Sequence, residues 1–168
     1  MSEQLDMLTT PGGATFSPCG TFRYTLTRRW RPGQTMLWIL LNPSTATATA
    51  DDPTIRRVTG FSRREQAGGF ELLNIFALRS TDPQLLRSAP DPIGPDNDET
   101  IRKALRRHDT AVCAWGAFNV GGRDALLAEW AAELSCSLLC LGETASGAPR
   151  HPLYLRADVA LRQFGVRQ

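Results

Sequence analysis

Three residues of this 168-residue chain combine a chemically useful side chain with an unusual position: Asn42, Asn74 and His151. Asn42 closes the apolar run W-I-L-L and is followed by Pro43. Its amide can donate and accept at once, so it could orient a water molecule or hold an amide-like edge. Pro43 removes a backbone donor and fixes φ, which stiffens the position. The same two residues also read as an ordinary Asn-Pro turn. Asn74 interrupts L-L-N-I-F where an apolar residue is expected. A buried amide left unpaired costs roughly 1–3 kcal/mol, so it needs a backbone or ligand partner. Donor and acceptor side by side suit the edge of a base. His151 lies in S-G-A-P-R-H-P-L-Y, where a neutral imidazole could donate to a developing anion or simply occupy a loop. The second histidine, His108, ends R-R-H-D and reads as a cation at a helix C-terminus.

A second set of residues could hold a ligand around them. Phe61, Phe76 and Trp115 offer flat rings for stacking, and their spacings suit the core equally well. Ser44 and Thr45 open a loop of small residues that could approach a sugar or phosphate closely. Arg56, Arg57 and Arg150 are candidate phosphate ligands. Eighteen of the nineteen basic residues are Arg, which fits phosphate recognition and fits a GC-rich coding bias as well. The net charge of +2 is too small to predict nucleic-acid binding by itself. No metalloprotease helix, Walker loop or nucleophile elbow is present. Asp51-Asp52 and Asp96-Asn97-Asp98 precede helical patterns and read as caps. Cys19, Cys113, Cys136 and Cys140 lack the spacing of a metal site and read as reduced, structural thiols. No metal and no cofactor is expected.

The elements that must position these residues follow from periodicity. Phe22 to Trp30 alternates apolar and polar side chains, as in a half-exposed strand. Met36 to Leu41 is apolar on both faces and suits a central strand. Asp52-Pro53 opens a helix whose apolar face is Ile55, Val58 and Phe61. Further strands are expected at Phe70–Phe76, Thr110–Trp115 and Ser137–Leu141. Helices are expected after Thr81-Asp82-Pro83, up to Arg107, after Gly121-Gly122, and from Arg156 to Phe164. Residues 1–20 look irregular. One domain spanning 1–168 is expected, a three-layer α/β/α sandwich with a mainly parallel sheet. Ligands of such sheets sit beyond the strands' carboxyl ends, which selects the ends near Asn42, Asn74 and Trp115 and the loop reaching His151. No apolar run approaches the roughly 18 residues of a membrane span, and the first residues lack a signal-peptide pattern. A cytoplasmic monomer is the expectation.

The order Leu41-Asn42-Pro43, Leu72-Leu73-Asn74, Trp115-Gly116, His151-Pro152 resembles the strand-end motifs of the uracil-DNA glycosylase superfamily. The string from N-P-S-T-A to P-R-H-P-L-Y resembles more closely an uncharacterised bacterial and phage domain-of-unknown-function family, number sixteen-forty-three. The first resemblance implies a uracil-DNA-glycosylase-like fold and a hydrolase that cleaves the N-glycosidic bond of a damaged or modified base in DNA. It implies that Asn42 orients water, Asn74 holds the flipped base, Phe61 or Phe76 stacks on it, and His151 stabilises the departing base. Leu153 or Tyr154 would wedge into the duplex. Two other functions fit the same residues: a nucleotide- or nucleoside-processing enzyme, and a non-catalytic nucleic-acid-binding module.

Overall fold

The computed structural model describes residues 12–165. Seven strands form one sheet in the order β1-β2-β4-β3-β5-β6-β7. They are β1 (Gly12–Phe16), β2 (Arg23–Arg29), β3 (Thr35–Leu40), β4 (Gly69–Asn74), β5 (Thr110–Cys113), β6 (Ser137–Cys140) and β7 (Arg162–Gln163). Among the described residues four α-helices accompany them: α1 (Pro53–Arg64), α2 (Leu85–Ser88), α3 (Asn97–Arg107) and α4 (Arg123–Glu133). The protein is α/β, and its sheet is mixed where a mainly parallel one was expected. Among the described residues three strand pairings are parallel, β4–β3, β3–β5 and β5–β6, and three are antiparallel. The reason lies in the connections. Parallel neighbours need a crossover of a dozen or more residues, and no helix intervenes between residues 12 and 35. β1 and β2 therefore pair as antiparallel neighbours, and β2 enters the sheet against β4 in the opposite sense.

Alternation along β3 divides the core. Leu37 and Ile39 join a cluster with Ile101, Leu105, Leu127 and Trp130 of α3 and α4. Trp38 and Leu40 join a cluster with Ile55, Val58 and Phe61 of α1. Helices thus cover both faces of the central strands, which is why Met36–Leu41 shows no polar face. Trp38 is fully buried because its indole N–H donates to Ser62 Oγ at 3.0 Å. At Gly69 any side chain would collide with the Arg28 carbonyl across the β2–β4 pair, so only glycine admits that close approach.

Two local expectations are corrected. Residues 12–16 form an edge strand, not irregular chain; residues 1–11 lie outside the described residues. The helix expected from Arg156 to Phe164 does not form. His151 caps a single 3-10 turn at Pro152–Tyr154, and the chain then reaches β7, which pairs with β6. Carbonyls of that segment accept side-chain donors from α1: Arg57 bonds Pro152 O and Leu155 O, and Arg64 bonds Ala157 O and Val159 O. No helix among the described residues is long and apolar enough to cross a membrane.

Candidate functional site

A cavity of about 330 Å³ opens at the carboxyl ends of β3 and β4, on the face covered by α1. Asn42, Asn74 and His151 all line it. Asn74 is the last residue of β4 and pairs with Leu40 in parallel register. The strand's pleat puts it on the same face as Leu72, which also lines the cavity. Its side chain is 2% exposed and has no hydrogen-bond partner among the described residues, while its backbone carbonyl accepts from Asn97 Nδ2 at 3.0 Å. A buried amide whose donor and acceptor have no partner among the described residues is able to bond a ligand or water in the cavity.

Asn42 follows β3 by two residues. Its Nδ2 donates to Pro43 O at 3.0 Å and Ser80 O at 2.9 Å, with a longer contact to Leu78 O at 3.5 Å. The amide nitrogen therefore pins the chain after β4 to the end of β3. Only the carbonyl side, Oδ1, is left for a ligand or water.

His151 lies ten residues beyond Leu141 in sequence, and the chain brings it back. A bridge between Glu143 and Pro149 and a bond from Arg150 N to Gly142 O at 2.9 Å fold residues 142–150 into a hairpin-like turn. Gly116, at φ +78°, donates its N–H to Pro149 O at 2.8 Å and lets the turn close over the end of β5. The Nδ1 of His151 accepts from Leu153 N at 3.2 Å, so a neutral ring carries its proton on Nε2. Burial pushes the imidazole pKa below its ordinary 6.5, and the Asp52 carboxylate offsets part of that. The ring is thus a neutral hydrogen-bond donor at pH 7.

The other expected residues divide. Ser44 and Leu153 line the cavity, and Tyr154 stands at its mouth, 86% exposed. Thr45 is exposed and outside it. Phe61 lies nine residues along α1 from Asp52, roughly 13 Å at helical rise, and is buried against Trp38. Phe76 packs edge-on to Phe118 in the core cluster on the other face. Neither ring lines the cavity, and among the described residues Tyr154 is its one Phe, Tyr or Trp. Arg56 is exposed and bonds Asp51 O at 3.3 Å. Arg57 is engaged with the backbone of the 3-10 turn and stacked over Phe61 at 5.1 Å. Arg150 donates to Glu143 O at 3.2 Å, holding the turn before His151. These three arginines serve the fold, or stand in solvent, rather than the cavity.

Two lining residues were not singled out for this site from the sequence. Asp52 is the only carboxylate there among the described residues; its Oδ1 caps α1 by accepting Ile55 N–H at 2.9 Å. Capping explains Asp52 fully at the sequence level, which conceals any second role. Arg23 is the only guanidinium there among the described residues, and it is buried. Because β2 runs against β4, its first residue falls at the same end of the sheet as the carboxyl ends of β3 and β4. A search restricted to strand carboxyl ends cannot find it. No group of His, Cys, Asp and Glu among the described residues could hold a metal ion. Cys113, Cys136 and Cys140 are free and buried, and burial raises the thiol pKa of Cys113 and of Cys136, the latter to about 11.

The fold and the cavity define an α/β protein with a partly polar cavity at one end of a mixed sheet. The chain belongs to the family described as protein of unknown function (DUF1643), whose model matches residues 23–153. That span begins at Arg23 and ends at Leu153, so it takes in every polar residue of the cavity named above except Tyr154. No curated protein and no solved structure matches the chain.

Proposed function

We propose that this cavity hydrolyses an N-glycosidic bond, in the manner of a DNA glycosylase acting on an extruded damaged or modified base. The observation that carries the reading is the meeting, in one cavity, of an Asn74 amide with no partner among the described residues and a neutral, Nε2-protonated His151. In this reading the base's polar edge pairs with Asn74. Water adds to the anomeric carbon as the carbon–nitrogen bond breaks, and its electron pair leaves with the base. The His151 Nε2–H stabilises that charge. Asn42 Oδ1 orients the water, but an amide is no base, so Asp52 is the group able to take the proton. Tyr154 at the mouth replaces the buried phenylalanines as the ring that stacks or wedges. The glycosylase-like three-layer arrangement, and the order of the strand-end motifs, belong to the same proposal; the family's description adds no activity to it.

The test is base release from oligonucleotides carrying uracil, hypoxanthine, xanthine, or oxidised or alkylated bases. His151→Ala and Asp52→Asn should each slow release by about 10²-fold or more. The wild-type rate should hold at neutral pH and fall as His151 is protonated below pH 6.5. Absence of release from every substrate refutes the function, and full activity in both variants refutes the mechanism.

A second reading, a nucleotide- or nucleoside-processing enzyme, is favoured by the arginines. Arg57 and Arg64 donate to backbone carbonyls, which leaves fewer cations for a nucleic-acid backbone. Binding to DNA would weaken steeply with added salt, whereas binding of a small nucleoside would not.

A further inference from the structure

Three arginines are buried among the described residues: Arg23, Arg28 and Arg123. Arg28 meets Asp51 at 2.9 Å and Arg123 meets Asp98 at 2.6 Å. Arg23 is the most buried of the three, at 3% exposure, and makes no salt bridge among the described residues. Its side chain makes one hydrogen bond there, from Nη1 to Ala46 O at 2.9 Å, although a guanidinium carries five donors. Burial lowers its pKa to about 10, partly offset by Asp52, so it is still charged at pH 7. A buried charge without a counter-ion is strongly disfavoured. The place open to a counter-ion is the cavity that Arg23 lines with Asn74 and the first turn of α1. There Thr54 N–H also lacks a partner among the described residues, at the positive end of a twelve-residue helix. Two buried polar side chains with donors unused among the described residues, Arg23 and Asn74, therefore face the same space.

We infer that Arg23 anchors the phosphate group of a phosphate-ester ligand in this cavity. A guanidinium fork matches two phosphate oxygens, which a single ammonium does not. The choice of a nucleotide as the rest of the ligand rests on the reading of Asn74 as the base-reading amide. Asp52, on the same wall, is left to accept from a sugar hydroxyl or from water. The phosphate can belong to a free nucleoside monophosphate or to the phosphodiester of a strand.

The experiment is calorimetric titration of the full chain with nucleoside 5′-monophosphates, the matching nucleosides, inorganic phosphate, and dinucleotides whose only phosphate is the bridging diester. At least one phosphate ester should bind tenfold or more tightly than its nucleoside, about the worth of a charge-assisted hydrogen bond. Arg23→Gln should bring that ratio close to one, and Arg23→Lys should lower it several-fold. If Arg23→Gln fails to fold, the wild-type ratio and the lysine variant still decide the matter. Preference for the monoester identifies a free nucleotide, and preference for the diester identifies a strand. Equal binding of nucleoside and phosphate ester by the wild type, or an undiminished ratio in a folded Arg23→Gln, overturns the inference. Binding is read without turnover, so failure of base release leaves this result standing, and loss of the phosphate preference leaves the glycosidic reading to its own assay.

Discussion

Replacing Arg57 by alanine tests whether the arginines of α1 hold the C-terminal segment or wait for a phosphate. Arg57 reaches from α1 to two carbonyls around the 3-10 turn, Pro152 O at 3.4 Å and Leu155 O, and lies over the Phe61 ring at 5.1 Å. A hydrogen bond from a charged donor contributes about 1.5–3 kcal/mol. The bond to Pro152 is long enough to add little, and the stacking adds about 0.5–1 kcal/mol. Partial exposure trims the total, so Arg57→Ala should lower stability by about 2–3 kcal/mol. For a domain of this size that is a fall in melting temperature of roughly 4–12 °C. Arg57→Lys should recover less than half, because one ammonium cannot span both carbonyls. The turn released is the one capped by His151, so the consequence should reach the imidazole. Opened to water, its pKa should climb back toward 6.5, which an NMR titration of the ring reads directly. Melting within about 1 °C of wild type would refute the tether. Unchanged stability with weakened, salt-dependent oligonucleotide binding would return Arg57 to the phosphate role.

Other perturbations separate fold from site. Glu71 is desolvated on β4, which pushes its pKa up, but bonds from His108 at 3.0 Å and Arg107 at 2.6 Å outweigh that and hold it below its ordinary 4.5. A depressed carboxylate contributes stability that is full above its unfolded pKa and is lost as pH falls through its folded one. Glu71→Gln should therefore remove acid sensitivity below pH 4.5 in urea titrations, and identical pH profiles would count against the pairing. Gly60 lies in α1 with open space where a Cβ would go, so Gly60→Ala should stabilise by about 0.5–1 kcal/mol, whereas Gly69→Ala should cost about 3 kcal/mol or more. Similar midpoints for the two glycine variants in chemical denaturation would contradict the close β2–β4 approach. Asn42→Asp should lose about 3 kcal/mol, because a carboxylate cannot donate to Pro43 O and Ser80 O. A more stable or more active Asn42→Asp would show that the amide's donors are dispensable.

Much of the frame is legible in the sequence because it rests on periodicity. The two-faced apolar run of β3, the Asp52-Pro53 cap of α1 and the apolar stripes of α3 and α4 each specify their element locally. What escaped depends on partners distant in sequence. β1 is G-G-A-T-F, whose pairing with β2 leaves no alternation to read. The segment after Tyr154 has helical residues, yet its carbonyls are taken by Arg57 and Arg64 before a helix can use them. The same division runs through the site. Asn42, Asn74 and His151 were legible because a polar residue interrupts an apolar strand or a Gly-Pro loop, and because the carboxyl-end rule ranks those interruptions. Arg23 was not, since strand direction is a property of the assembled sheet. Asp52 was visible and already explained, and a capping role fulfilled at 2.9 Å says nothing about the carboxylate's other oxygen. Asn42 shows the converse. Its position suggested chemistry, and its nitrogen turns out to hold the loop after β4 in place. The turn reading and the site reading therefore apply to different atoms of one side chain, and the chemistry left to Asn42 is that of an acceptor. For the proposed hydrolysis, an acceptor that is not a base needs a carboxylate in the same cavity, which is the structural reason to look to Asp52 for the proton.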